Sequence, residues 1–172
     1  MLSEKLTRAL SEQIAMEYDS AYLYLAMSAS ADGMGLKGCA NWLFVQAREE
    51  LAHGTHIFEY LLGRGAAPAF AEIRRPPAAF KDLNEIFEAT LSHEQKVTGS
   101  INAIATLAMR ELDHACYQFM MWYVDEQVEE EANATEILDK LRLIGGNTGL
   151  LLNLDAELAA RVFVNPFPAK GN

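Results

Sequence analysis

The stretch Arg48-Glu49-Glu50-Leu51-Ala52-His53 decides how this chain folds. Glu50 and His53 form a Glu-x-x-His pair, and residues three apart lie on one face of an α-helix. A carboxylate among apolar neighbours is unfavourable unless it is protonated, paired or bound to metal. Glu50 lies among such neighbours, because it belongs to a stripe of apolar or small residues spaced three or four positions apart. This spacing predicts the buried face of a bundle helix. The other members are Leu36, Ala40, Leu43, Ala47, Gly54, Ile57 and Leu61.

The same periodicity predicts three further long helices and a short fifth one, and no strand pattern competes with it. The first four helices form a bundle over about residues 4–144, and the fifth covers about 147–162, in a single domain of 172 residues. The expected boundaries follow from capping residues and glycines: Ser3 or Glu4 to Asp32, Leu36 to Leu62, Asp82 onward with Glu85 completing a capping box, Asp113 to Gly145, and Asn147 or Thr148 to Asn165-Pro166.

The connection between the second and third helices is unusually long and contains Pro68, Pro76 and Pro77. A helix of about 28 residues is ~42 Å long, whereas about 17 extended residues reach ~56 Å. The connection can therefore return along the whole bundle and leave helices two and three parallel. A single long crossover of this kind characterises one class of four-helix bundle.

Composition narrows the possible functions. The net charge of −10 argues against nucleic acid as the main partner and suggests a protein that handles cations. No stretch approaches membrane-spanning length, and the start of the chain lacks the apolar run of a signal peptide. Cys39 and Cys116 are far apart without a Cys-x-x-Cys motif, which favours free thiols in a reducing cytoplasm. We therefore expect a cytoplasmic protein with no membrane partner.

Each of the four long helices has a polar interruption near its midpoint, so the bundle brings these residues to one level. The stripes contain no Lys or Arg, and four unneutralised carboxylates would raise one another's pKa. A pair of metal ions resolves the conflict, and carboxylates with one imidazole suit iron or manganese and, less selectively, zinc. The alternative is a protonated polar network without metal. The predicted layer comprises Glu17, Glu50 with His53, Glu94, and Gln127 with Glu130.

A second acidic group adjoins this layer and shares Glu130 with it. It is either a solvated helix face or a third metal position on a route from the paired site to an interior surface. Its members are Glu49, Glu126, Glu129 and Glu131.

These motifs resemble those of the bacterial non-haem ferritins across nearly the whole chain. The resemblance rests on Glu17, Tyr24, the segment Glu49-Glu50 with His53, Glu94, and Trp122-Tyr123-Val124-Asp125-Glu126-Gln127 followed by Glu129-Glu130. It implies the all-α, ferritin-like four-helix bundle. It also implies iron storage: Fe(II) is oxidised by O2 or peroxide at a di-iron ferroxidase centre, and Fe(III) is stored as a mineral inside a shell of 24 identical subunits.

The resemblance further implies a role for each residue of the site. Glu17, Glu50 and His53 correspond to ligands of a first iron, and Glu50, Glu94 and Glu130 to ligands of a second, with Glu50 bridging. Gln127 lies beside the pair, and Tyr24 corresponds to an electron donor. A third iron would be bound by Glu49, Glu126, Glu129 and Glu130.

Departures from related families favour the non-haem branch. Leu51 stands where bacterioferritins use methionine to bind haem, and Glu130 replaces a histidine, so we expect no haem. Tyr117 and Met120 replace the acids that line the three-fold entrance of animal ferritins. Asp113, His114 and Gln118 would then line an entrance or belong to ordinary surface.

Three rivals and several structural alternatives remain open at this stage. The rivals are a di-iron peroxidase or oxygenase, a DNA-protecting mini-ferritin and a passive metal-binding bundle. The apolar fifth helix either packs on its own bundle or is buried between subunits. His56 and His93 are expected to face solvent or to serve in packing.

Overall fold

The computed structural model describes residues 2–167, which contain five α-helices and no β-strand. The helices are α1 (Glu4–Gly33), α2 (Lys37–Gly63), α3 (Leu83–Arg110), α4 (His114–Ile144) and α5 (Thr148–Leu158). The predicted all-α class and the order of helices are confirmed. None of the helices in this part of the chain has the length and hydropathy needed to cross a membrane.

Side chains cap the N-termini of the helices largely as the sequence predicts. Asp82 accepts a hydrogen bond from the Glu85 backbone N–H (3.0 Å), and Asp113 accepts one from Cys116 N–H (2.9 Å). The capping box differs in one detail, because Glu85 accepts from the backbone N–H of Lys81 rather than Asp82. At the other end of α4, Gly145 has a positive φ of 53°, which glycine adopts without strain.

The helix directions follow from which residues meet. Ser28 of α1 contacts Ala40 of α2, and Tyr18 of α1 lies against Gly54 of α2. Tyr24 of α1 contacts Glu94 of α3, and Ser100 of α3 contacts Gln13 of α1. Residue numbers thus rise along α1 as they fall along both neighbours, so α2 and α3 are parallel. The crossover, residues 64–82, follows α1, because Ser11, Asp19 and Ser30 of α1 bind the backbone N–H groups of Ala69, Arg74 and Phe80. The predicted long crossover is confirmed.

The predicted end of α5 is wrong. The helix ends at Leu158 rather than near residue 162 or at Asn165-Pro166. The Asn41 side-chain amide donates to the carbonyl oxygens of Ala159 (3.3 Å) and Arg161 (2.9 Å), which draws the chain out of helical geometry and onto α2. Residues 159–167, called the tail below, therefore extend away from α5.

The fifth helix packs on its own bundle with only one face. Leu154 and Leu158 are buried, and the Asp155 carboxylate accepts from the Cys39 N–H (2.8 Å). A Cβ on Gly38 would lie 1.7 Å from the Asp155 carbonyl oxygen, so glycine is needed for this close approach. The opposite face leaves Leu150 and Leu152 about half exposed, at 48% and 57%.

The apolar core consists of two separate clusters, one toward each end of the bundle. One contains Trp42, Leu43 and Phe87, and the other contains Leu10, Ile57 and Ile101. Along each of the four long helices, a central buried polar residue falls between the residues of these clusters: Glu17, Glu50, Glu94 and Gln127. The bundle thus has a polar layer at mid-height.

Candidate metal centre

Every long helix contributes to the polar layer, and the structure brings all six predicted residues into it. Each is at least 96% buried, since none exposes more than 4% of its surface. Their arrangement follows from the helical periodicity that puts one buried position per turn on the core face. The residues are Glu17 from α1, Glu50 and His53 from α2, Glu94 from α3, and Gln127 and Glu130 from α4.

Glu17, Glu50 and His53 form the tightest group. Each offers one possible metal-ligand atom, and these atoms lie within 4.8 Å of one another. His53 Nδ1 is 3.7 Å from Glu50 Oε2, too far for a hydrogen bond, and His53 Nε2 is buried without a hydrogen-bond partner among residues 2–167. An unpartnered buried nitrogen is costly. This donor set fits a divalent iron, manganese or zinc ion.

Glu94 and Glu130 form the other side of the layer and are held by neutral donors. The Tyr24 hydroxyl donates to Glu94, and so does Gln127 Nε2 at 3.0 Å. Gln46 Nε2 donates to Glu130 at 2.7 Å and to Glu50 at 3.2 Å. Tyr24 and Gln127 therefore lie beside the carboxylates, as expected of residues that accompany the ligands.

Burial governs the electrostatics of the layer. Burial, and then the charges of Glu94 and Glu130, raise the pKa of Glu50 well above its ordinary value. Burial and then Glu50 do the same to Glu17, and burial and then Glu94 raise the pKa of Glu130 to about 8. At neutral pH the metal-free layer thus retains protons, which a bound cation would displace.

The outer acidic group is only partly assembled. Glu49 forms an ion pair with Arg161, and Glu126 Oε1 lies 3.9 Å from His53 Nε2, while Glu129 is exposed. Glu131 accepts a hydrogen bond from Thr98 of α3 (2.6 Å) and so lies away from α2. Within residues 2–167 only the Glu17, Glu50 and His53 group meets the geometric condition for a metal cluster.

Three further polar residues singled out from the sequence, His56, His93 and Asp113, have structural contacts, whereas His114 and Gln118 are exposed. His56 stacks on Phe167 at 3.6 Å between ring centroids, and burial lowers its pKa to about 4. His93 lies 2.7 Å from the Ser20 hydroxyl, and burial likewise lowers its pKa to about 4. Both histidines therefore serve in packing. Asp113, besides capping α4, pairs with Arg64 at 2.7 Å.

Three residues that contact the layer escaped the sequence reasoning: Gln13, Gln46 and Arg161. Gln13 Nε2 donates to Glu17 at 2.8 Å, as Gln46 does to Glu50. A Gln-x-x-x-Glu repeat on two helices was the available signal, because residues four apart meet on a helix face. No spacing in the sequence indicated Arg161, because its hydrogen bond to Gln46 depends on the early end of α5.

Comparison with known proteins decides the family. Residues 7–144 match the family model described as Ferritin-like domain. The chain belongs to the ferritin family. It is 39% identical over 163 residues to a bacterial non-heme ferritin of Staphylococcus haemolyticus, covering 95% of this chain and 98% of the relative. It is 38% identical over 158 residues to a probable bacterial non-heme ferritin-like protein of Haemophilus influenzae, covering 92% and 96%.

Solved structures agree. An open pore ferritin from the archaeon Archaeoglobus fulgidus superposes with a TM-score of 0.93 at 44% identity, covering 94% of this chain and 100% of that one. The resemblance to bacterial non-haem ferritins and the ferritin-like bundle are thus confirmed.

Proposed function

We propose that this ferritin stores iron by oxidising Fe(II) with O2 in the polar layer and keeping Fe(III) as a mineral inside a homo-oligomeric shell. One observation carries the proposal: four buried carboxyl groups with raised pKa values share one layer with a histidine nitrogen that has no hydrogen-bond partner among residues 2–167. Two Fe(II) ions offer four positive charges to these four carboxylates, so binding removes the repulsion that otherwise raises their pKa values.

Each side of the layer has its own task in this proposal. Glu17, Glu50 and His53 bind the first Fe(II), and Glu50, Glu94 and Glu130 bind the second, with Glu50 shared. Each ion loses one electron, and the two electrons with two protons reduce O2 to hydrogen peroxide. The protein contributes position and charge, whereas the metal supplies the redox chemistry. Gln127 orients Glu94 through its hydrogen bond.

In this proposal Tyr24 can donate one electron to the peroxide formed from O2, beyond the two electrons that the Fe(II) ions supply. Its hydroxyl donates to Glu94, and burial, then the Glu94 charge, raises the pKa of Tyr24 well above its ordinary value. The phenol is therefore protonated at neutral pH, and on oxidation its proton has an acceptor in Glu94.

The outer acids Glu49, Glu126 and Glu129, with Glu130, would receive iron leaving the pair. The position of Glu126, whose Oε1 lies 3.9 Å from His53 Nε2, supports this, and Arg161 must release Glu49 for that cation to bind there. Assembly, which we take to be a shell of 24 subunits, is supported by the exposed face of α5. Leu150 and Leu152 present apolar surface that a subunit contact would bury.

The test combines the particle mass in solution with iron content and O2 consumption after aerobic loading with Fe(II). We expect a large closed assembly that consumes O2 and retains far more than two irons per subunit. A monomer that stops at about two irons would instead indicate a di-iron peroxidase or oxygenase. Iron retention without O2 consumption would indicate passive binding.

A further inference from the structure

Gln46 connects the tail to the polar layer. This fully buried side chain donates through Nε2 to Glu130 of α4 at 2.7 Å and to Glu50 of its own helix at 3.2 Å. Its Oε1 accepts from Arg161 at 2.7 Å. One amide group thus joins two proposed ligands on two helices to one residue of the tail.

Arg161 determines which way this amide points. A guanidinium only donates hydrogen bonds, and a carboxylate that a bound cation keeps ionised only accepts them. With Arg161 in place, the oxygen of Gln46 faces the tail and both N–H groups face Glu50 and Glu130. Without Arg161 the amide is held only from its N–H side by Glu50 and Glu130, and its buried oxygen loses its hydrogen bond.

The tail holds Arg161 rigidly enough for this task. Asn41 binds the Arg161 carbonyl oxygen at 2.9 Å, and the guanidinium lies 4.4 Å from the centre of the Trp42 ring. A second guanidinium nitrogen binds Glu49. Because the planar group is fixed on two sides, little conformational entropy remains to be lost when it orients Gln46.

Gln13 provides an internal comparison. It donates to Glu17 at 2.8 Å, and its Oε1 accepts from the Ser100 hydroxyl. Each Gln-x-x-x-Glu pair therefore has an external donor, which is neutral beside Glu17 and cationic beside Glu50. Gln46, unlike Gln13, also reaches a ligand on another helix, namely Glu130.

We propose that Arg161 is a positioning residue for the second iron: through Gln46 it holds the carboxyl groups of Glu50 and Glu130 in their binding arrangement. The inference rests on the proposed function, since it needs two ions in the layer. It implies that the tail, although it follows the last helix, controls the affinity of one ion more than that of the other.

Anaerobic titration with Co(II), followed by its visible absorbance, tests the proposal without relying on oxidation activity. Arg161→Ala should lower the affinity for the second Co(II) ion by ~10–100-fold, the range found when a group that orients metal ligands is removed. The affinity for the first Co(II) ion should change by less than about threefold. Ser100→Ala is the matched control, because it removes the donor to Gln13 and leaves Gln46 untouched. Equal weakening of both equivalents by Arg161→Ala, or no change in either, would overturn the proposal.

Two further variants separate positioning from charge. Arg161→Lys keeps the charge near Glu49 but cannot donate to Glu49 and Gln46 from a rigid fork, so the second equivalent should stay weak. In a Gln46→Met background, Arg161→Ala should have little further effect, because its route to the ligands is gone. Full recovery in Arg161→Lys, or an undiminished Arg161→Ala effect in the Gln46→Met protein, would show that charge alone acts.

Gel filtration and thermal unfolding of each variant verify that it is folded. If the wild-type protein itself binds fewer than two Co(II) ions per subunit, the two-ion function fails and the inference fails with it. Two wild-type equivalents with an unchanged Arg161→Ala isotherm would reject the role of Arg161 alone.

Discussion

Two groups of acids lie side by side on α2 and α4 and differ in what neutralises them. Glu50 and Glu130 belong to the inner layer, where at most 4% of each residue is exposed and protons or a bound cation must balance the charge. Glu49 and Glu126 belong to the outer group, where the side chains are 17% and 26% exposed and Arg161 pairs with Glu49. One position along the α2 sequence thus separates two different environments.

The difference shows that burial, more than the number of acids, determines which group requires a cation. A partly exposed carboxylate keeps part of its hydration and tolerates an absent ligand. A fully buried one interrupts the apolar core, which here is divided into two clusters. The inner layer should therefore lower stability in the metal-free protein and regain it when a cation binds. In the outer group burial also raises the pKa of Glu49, but the Arg161 charge offsets part of that cost.

The largest effect should come from Glu50→Ala, because Glu50 is the ligand that the two iron ions are proposed to share. We expect the rapid phase of aerobic Fe(II) oxidation, followed by stopped-flow absorbance, to slow by more than about 100-fold, since even indirect supporting groups contribute ~10–100-fold. Stability should be unchanged or higher, because a buried ionisable group is removed. Glu59→Ala, exposed on the same helix, is the control. Wild-type rates in Glu50→Ala would locate oxidation elsewhere.

A second prediction concerns the pH dependence of the metal-free protein. Folding raises the pKa of Glu130 from its ordinary 4.5 to about 8. Between these values the folded state binds a proton that the unfolded state does not, so stability falls as pH rises. One such group contributes ~1.4 kcal/mol per pH unit. We expect the free energy of unfolding from denaturant titration to decrease from pH 6.5 to 8.

His56 and His93 do not contribute to the slope in this pH range. Their lowered pKa values make stability rise with pH, but only below about pH 6.5. Glu130→Gln cannot titrate and should flatten the slope. Bound Zn(II) should also flatten it, because the metal keeps the carboxylates ionised. A metal-free protein that becomes more stable toward pH 8 would contradict the protonated inner layer.

The smallest effect should come from Glu129→Ala in the outer group. The initial oxidation rate should change by less than about threefold, because exposed charges interact weakly with the layer. Later turnover or the ratio of iron oxidised to O2 consumed should shift if Glu129 receives the departing ion. Glu136→Ala, one to two turns further along α4, serves as the control. If neither rate nor ratio moves, the outer group is an ordinary solvated helix face.

Much of this arrangement is predictable from the sequence, because periodicity acts locally. The spacing of apolar residues three and four positions apart places Glu17, Glu50, Glu94 and Gln127 on core faces near helix midpoints. The length of the crossover indicates that α2 and α3 are parallel. The early end of α5 was not predictable, since it depends on Asn41, which is distant in sequence from Ala159. For the same reason the pairing of Arg161 with Glu49 and Gln46 appears only in three dimensions.

Diffraction from crystals soaked anaerobically with Fe(II), recorded on both sides of the iron absorption edge, tests the central claim most directly. We predict two anomalous peaks per subunit inside the bundle. One should lie among Glu17, Glu50 and His53, and the other among Glu50, Glu94 and Glu130. Peaks confined to Glu126 and Glu129, or the absence of any peak beside His53, would contradict a paired iron site in the polar layer.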